Sequence, residues 1–280
     1  LQPLEKEIEN TRSLIIIPDR ELISLPFEAL VMPDKKYVVE KYAVTYQYNL
    51  PLLKTGSITQ SKAVSLAMAP FAEKGEENFS ALPASVAEIQ SFSSEEQLVN
   101  ERATKQHFLS LAPGASFIHL ATHAAVNYDD PANSYIAFYP SGKEDSAYKI
   151  FSHEIYNLYL PHTQLVFLSA CETGSGKVSQ SEGALSISRA FAYSGCSNIV
   201  TSLWKAEDKS TAYISERFYN YIHKGYTYAE ALQCAKKDML LDKSMSQFHA
   251  PQYWSHLVFI GDMQAQASSP ALWLTFLIAA

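Results

Sequence analysis

Apolar runs of strand length alternate along this chain with stretches whose apolar positions recur at helical spacing. Leu14-Ile-Ile-Ile17 before Pro18 reads as a short strand, Tyr37-Val-Val39 and Tyr42-Ala-Val-Thr-Tyr46 as two β-rich segments, and residues 63–68 as a buried strand. Residues 84–92 and 103–111 carry helical spacing, the second after a cap at or beside Thr104. Residues 117–124, 135–138, 165–171, 198–202 and 255–260 are further apolar runs that predict strands. Ser152 caps a short helix reaching Tyr159, a helix over 183–193 ends at Gly195, and two long helices, 211–224 and 228–241, are separated by Gly225. Two polar, turn-rich loops, 126–134 and 140–149, lie where they would shape a substrate cleft.

Strand, helix and strand in repeated order predict an α/β fold, a mostly parallel central sheet with helices on both faces. The first hundred residues carry αβ elements without any His or Cys constellation. The expected division is the end of an upstream helical region over 1–12, a smaller supporting lobe over 13–112 and a catalytic lobe over 113–263, with a linker and tail from 264.

Two of the strand runs end in residues that do chemistry. Leu165-Val-Phe-Leu-Ser-Ala-Cys171 stops at a cysteine followed at once by small, turn-forming residues, and Phe117-Ile-His-Leu-Ala-Thr-His123 stops at a histidine. If both strands share a sheet, His123 and Cys171 leave the same carboxyl edge, where open α/β sheets hold their ligands. A His beside a Cys makes a thiolate nucleophile. The competing reading is a small buried cysteine and an unrelated histidine. His119, four positions before His123, reads as a core histidine or a support to the site, and Glu172 as solvent-facing or substrate-contacting. Gly174 and Gly176 keep the turn compact. Cys196 and Cys234 read as buried and mid-helix, poor nucleophiles both. Gly176-Lys177 lacks the Walker glycine, Cys171 standing in its place, and Val178 stands where Ser or Thr is needed, so nucleotide binding is discarded.

Composition narrows the classes. The chain has 280 residues, 47% of them hydrophobic and 18% charged, enough for a sizeable core. A net charge of −7 and the lack of any basic run exclude nucleic acid as a direct partner. Three cysteines without CxxC spacing or a histidine cluster point to a reducing compartment and to no metal or other cofactor. No G-x-S-x-G is present, which sets aside a serine hydrolase. No apolar leader opens the chain. The uncharged apolar stretch 270–280 predicts either the start of a membrane anchor on a cytoplasmic protein or a terminal helix docked on the domain.

The segments His119-Leu-Ala-Thr-His123-Ala, Leu168-Ser-Ala-Cys-Glu-Thr-Gly174, Glu182-Gly-Ala-Leu, Arg189-Ala-Phe191, Ser202-Leu-Trp204 and Tyr253-Trp254, with Leu25-Pro-Phe-Glu-Ala-Leu30, resemble the ordered motifs of the CHAT domain. This family belongs to the caspase-like cysteine peptidases, with separases, metacaspases and gingipains. The 48 positions between His123 and Cys171 are close to the roughly 50 of caspases. The resemblance implies a caspase-like three-layer sandwich and a cysteine endopeptidase acting on a protein substrate through a His123/Cys171 dyad. It also implies oxyanion donation by the backbone N–H groups of Ala124 and Cys171. Ala124 stands where this superfamily usually has Gly. The loop carrying Trp204, Glu207 and Asp208 would wall the P1 pocket, its acids favouring Arg or Lys, although Glu207 and Asp208 equally suit capping of the helix that follows. Upstream, the family commonly carries tetratricopeptide repeats acting as sensor or regulator, with bacterial signalling or defence as the setting. A catalytically silent interaction module of the same family is the alternative.

Overall fold

The computed structural model describes residues 4–267 apart from 20, 21, 23, 24, 48–63, 77, 78, 93, 128, 173–180, 205 and 206, with only the backbone of residues 5, 171, 172 and 181–185. Gly174, Gly176 and the apolar tail 270–280 therefore lie outside the described residues. No helix among the described residues is long and apolar enough to cross a membrane.

Ten strands are described: β1 Ser13–Ile16, β2 Ala43–Tyr46, β3 Ser65–Ala69, β4 Glu96–Val99, β5 Phe117–Ala125, β6 Tyr135–Ala137, β7 Lys149–Phe151, β8 Leu165–Glu172, β9 Ile199–Ser202 and β10 Leu257–Ile260. The helices are α1 Glu5–Ile8, α2 Val38–Lys41, α3 Ser85–Ser91, α4 Lys105–Leu111, α5 Asp145–Tyr148, α6 Ser152–Ile155, α7 Ser181–Ser194, α8 Asp208–His223 and α9 Tyr228–Leu241. One sheet takes in all the strands, in the order β1-β2-β10-β9-β8-β5-β3-β4, with the hairpin β6-β7 attached to β5. Pairing along that order is parallel except between β9 and β10.

β8 lies at the middle because its residues are apolar on both faces. Leu165 and Phe167 join Ile214, Phe218, Leu232 and Met239 of α8 and α9 in one buried cluster. Val166, Leu168 and Ala170 join Phe108, Ile155, Ile187 and Phe191 of α4, α6 and α7 in another. These two layers on either side of the sheet are the expected three-layer α/β sandwich. Gly195, at φ +123°, ends α7 where an added Cβ would lie 2.7 Å from Leu160 O, so no other residue fits.

The supporting lobe expected over 13–112 supplies β1 and β2 to one end of the sheet and β3 and β4 to the other, flanking the strands of 113–263. Elsewhere the structure departs from the sequence expectation. Tyr37-Val-Val39 is not a strand: Tyr37 makes only an isolated antiparallel bridge to Val31, and Val38 and Val39 start the helical turn α2, buried, with Glu40 accepting from Tyr37 N at 2.8 Å. Burial of that turn overrides the β-propensity of the two valines. The loop expected over 140–149 instead holds α5 and leads into β7, anchored by the buried ring of Tyr148, whose hydroxyl donates to Asp145 at 2.7 Å.

His256, fully buried before β10, has its ring nitrogen Nε2 3.1 Å from Thr211 Oγ1. Burial, and then the charge of Lys236, push its pKa down to about 3. A depressed pKa means that the stability tied to the neutral ring is complete above the unfolded value near 6.5 and is lost as pH falls from there toward 3. Urea unfolding of the chain should therefore show a loss of roughly 3 kcal/mol between pH 7 and pH 4 from this group alone. His256→Gln should lose correspondingly less over the same interval; equal losses in the two proteins would show that His256 does not govern acid stability.

Candidate functional site

β5 and β8 are parallel neighbours in register from Phe117 opposite Leu165 to Ala124 opposite Glu172, which puts His123 opposite Cys171. Both positions fall at the carboxyl ends of their strands. The apolar runs that precede them, buried throughout β5 between Ile118 and Ala124, fix the backbone behind the pair.

His123 is itself fully buried. Its ring stacks on Phe79 with centroids 5.4 Å apart and meets Phe71 at 5.1 Å. Its Nε2 lies 2.8 Å from Ser80 O. A carbonyl oxygen only accepts, so Nε2 carries the proton and Nδ1 is the basic nitrogen of the ring. The orienting groups all come from the segment after β3, in which the sequence shows no candidate. Next to His123, Thr122 Oγ1 donates to Ala137 O at 2.6 Å and ties the end of β5 to β6. Ala124 is buried between Ile136 of β6 and Glu172 of β8.

Beside these strand ends lies a cavity of about 270 Å³, lined among others by Ser80, Glu88, Thr122, Ser169, Glu207 and Asp208. Glu207 does what a capping residue does, Oε2 accepting from Ser210 N at 3.0 Å at the start of α8, and it reaches the cavity as well. Asp208 Oδ2 accepts from Ala84 N at 2.6 Å. Its pKa is raised by burial first, and further by the nearby carboxylates Glu88 and Glu207. The third residue of that loop, Trp204, is not among those lining the cavity: its indole donates to Gln252 O at 3.1 Å and lies 6.4 Å from the His256 ring.

His119 is a core histidine. It is fully buried, with Nε2 2.9 Å from Glu88 Oε1 and Nδ1 2.6 Å from Tyr219 OH. Glu88 comes from α3, and the sequence held a signal for it. Ser85, Ile89 and Phe92 form an inward stripe at helical spacing, and Glu88 is the charged residue on that stripe. Cys196 is fully buried, its Sγ donating to Asn198 O at 3.3 Å, and burial pushes its thiol up to about 12. Cys234 is half-buried on α9, its thiol also raised by burial. Among the described residues no group of three His, Cys, Asp or Glu side chains could hold a metal ion.

The sequence profile of the CHAT domain matches residues 1–262. Among solved structures, the chain is similar to the separase of the Saccharomyces cerevisiae separase–securin complex, with a TM-score of 0.54 and 14% identity over 89% of this chain and 15% of that one. It is also similar to the Arg-specific cysteine proteinase gingipain R, with a TM-score of 0.47 and 12% identity over 72% of this chain and 47% of that one. The chain thus spans less than half the length of either. At 14% identity the likeness to the separase is one of fold. No curated protein matches the chain in sequence.

Proposed function

The chain belongs to the CHAT domain family, and from that premise we propose that it is a caspase-like cysteine endopeptidase that cleaves a protein substrate through His123 and Cys171. The observation that carries this reading is the pairing of His123 with Cys171 across β5 and β8, together with the Ser80 carbonyl that leaves Nδ1 of His123 as its basic nitrogen. Neighbouring strands are spaced about 4.8 Å apart, so a thiol and an imidazole at such paired positions are within reach of each other.

A cysteine thiol is only a few per cent thiolate at neutral pH, and a neighbouring imidazole raises that fraction by taking the proton. In the reaction His123 Nδ1 receives the Cys171 proton and the sulfur attacks the scissile carbonyl carbon. The oxyanion so formed is met by the backbone N–H groups of Cys171 and Ala124. The imidazolium then gives its proton to the leaving amine, and water, deprotonated by the same imidazole, releases the acyl group from sulfur. The Ser80 carbonyl holds the imidazolium in place by accepting from Nε2, much as a third group orients the base in other nucleophile pairs.

The substrate side chain before the scissile bond is basic in this reading. Glu207 and Asp208 both line the cavity beside the strand ends, and carboxylates recognise Arg or Lys through charge-assisted hydrogen bonds. For the full-length protein the reading extends to a repeat region upstream acting as sensor or regulator, and to a cytoplasmic enzyme anchored through residues 270–280.

A peptidyl acyloxymethyl ketone ending in Arg tests the site directly. It should alkylate Cys171 in the wild-type chain, fail with Cys171→Ala, and react at least about 100-fold more slowly with His123→Ala. A companion ending in Asp should label far more slowly. Alkylation that is indifferent to His123 would remove the dyad, and equal rates for the two electrophiles would remove the basic preference.

A further inference from the structure

The aromatic side chains that stand exposed among the described residues are four tyrosines, Tyr156, Tyr159, Tyr193 and Tyr226, between 38% and 79% exposed. All four lie at one edge of the molecule. β5 and β8 start from that edge, at Phe117 and Leu165, and reach His123 and Cys171 at the other. Tyr156 and Tyr159 stand between α6 and β8, and Tyr193 in the last turn of α7, ahead of β9. Leu160 N donates to Ser194 O at 2.7 Å, and the rings of Tyr156 and Tyr193 meet edge to face at 5.3 Å. Tyr226 belongs to the opposite layer. α8 begins with Asp208 at the cavity, runs 16 residues away from it, and ends just before the Tyr226 turn.

The chain passes between these two groups of rings as it leaves β10. Asp262 N donates to Asn198 Oδ1 at 3.0 Å, Asn198 Nδ2 to Gln164 O at 3.0 Å, and Tyr228 N to Ala265 O at 2.9 Å. Residues 262–265 are thereby tied to the starts of β8, β9 and α9. The uncharged apolar stretch 270–280 begins five residues beyond Ala265.

A tyrosine has an apolar body and a polar tip, and such rings favour the boundary between headgroups and hydrocarbon as well as protein interfaces. The tail decides between the two occupants. If Leu272, Trp273, Leu274, Phe276, Leu277 and Ile278 enter hydrocarbon, the edge from which they depart lies against the bilayer. Charge adds nothing to this contact: Lys224 beside Tyr226 is answered by Glu230 and Asp262, so the surface suits a zwitterionic lipid and needs no anionic one.

We propose that this edge is a membrane-contact surface, with Tyr156, Tyr159, Tyr193 and Tyr226 set in the headgroup layer of the bilayer that receives the 270–280 tail. The inference rests on the anchoring reading for the nature of the partner, and goes beyond it by fixing the orientation of the domain. Cys171 stands about 20 Å further along β8 than Leu165. The catalytic edge is thus turned to the solution, where a protein substrate reaches it without touching lipid.

Flotation of the full chain with phosphatidylcholine vesicles measures the contact. Tyr159→Ser with Tyr193→Ser, a change of exposed side chains that leaves the fold intact, should weaken partitioning at least about tenfold, and added salt should not weaken that of the parent chain. Vesicles should also slow the iodination of Tyr159, Tyr193 and Tyr226, and spare Tyr135, which pairs with Ala125 at the catalytic edge. Unchanged partitioning of the tyrosine variant, or iodination that vesicles do not slow, overturns the proposal. So does protection that grows with protein concentration in the absence of lipid, which would make the surface a contact between copies of the chain. Phe276→Lys with Ile278→Lys tests the anchor separately. If these lysines abolish flotation and the serines leave it alone, the anchor stands and the tyrosine surface falls. If the serines weaken flotation and the lysines do not, the surface stands and the anchoring reading falls.

Discussion

Cys171→Ala should reduce peptide cleavage to background while leaving the circular dichroism spectrum and the unfolding midpoint close to those of the parent chain. Replacing the thiol with a methyl group at a strand end removes a single heavy atom, and the strand is held by its neighbours on both sides. His123→Ala should cost on the order of 10² to 10⁴ in kcat/KM, the usual range for a positioned general base. It should also cost some stability, since the imidazole fills the space between Phe71 and Phe79 and its removal leaves a cavity and an unmet carbonyl at Ser80. The double variant should be hardly worse than Cys171→Ala, because residues that act as a unit lose activity together. Cys196→Ala and Cys234→Ala should retain cleavage, the first because a thiol raised to about 12 in the core is no nucleophile near neutral pH. The activity profile against pH should report apparent values belonging to the His–Cys pair and not to either residue. Turnover persisting in folded Cys171→Ala would remove the assignment.

Much of this arrangement is legible in the sequence, for physical reasons. The runs that become β5 and β8 are apolar on both faces, a demand that only a buried parallel strand makes, and each run stops at the residue that matters. Register follows less directly: His123 and Cys171 fall opposite each other because β5 and β8 begin at the same level, Phe117 against Leu165, and no local pattern encodes that. How the first hundred residues flank the later strands is hidden because chain order is not sheet order, in which β10 pairs with β2 and β5 with β3. β4 is not legible because Glu96 and Gln97 interrupt an edge strand with polar side chains. Glu88 is harder to read. A glutamate in a short amphipathic helix is ordinarily solvated, and only its place on the stripe shared by Ser85, Ile89 and Phe92 marks it as buried. Ser80 acts through its backbone carbonyl, which no side-chain pattern reveals. Trp204, conversely, stands out in the sequence as a large aromatic beside two acids, but its packing partners are the elements around His256.

The largest expected loss of stability lies far from the dyad, at Lys236. This lysine, on α9, is 1% exposed; its Nζ donates to Glu28 Oε1 at 2.7 Å and to Leu257 O at 2.5 Å. Glu28, equally buried, accepts from the Tyr46 hydroxyl at 2.5 Å, and that hydroxyl in turn accepts from Phe27 N at 2.8 Å. Burial, with Glu28 adding to it, pushes the Tyr46 phenol well above its ordinary pKa, so it remains a donor. The cluster joins the segment after β1 to β2, β10 and α9, which is how that end of the sheet is closed. Lys236→Met fills similar space but strands Glu28 as an uncompensated buried charge, and should cost roughly 3 to 5 kcal/mol in urea unfolding at pH 7. That is a large share of the 5 to 15 kcal/mol typical of a folded domain. Glu28→Gln should be costly for the mirror reason, a buried ammonium without its anion. The double variant Lys236→Met with Glu28→Leu should recover most of the loss, since an apolar pair of similar volume replaces a buried ion pair at little net cost. Two single variants that each cost under about 1 kcal/mol would show that water reaches this cluster and that the pair behaves as a surface one.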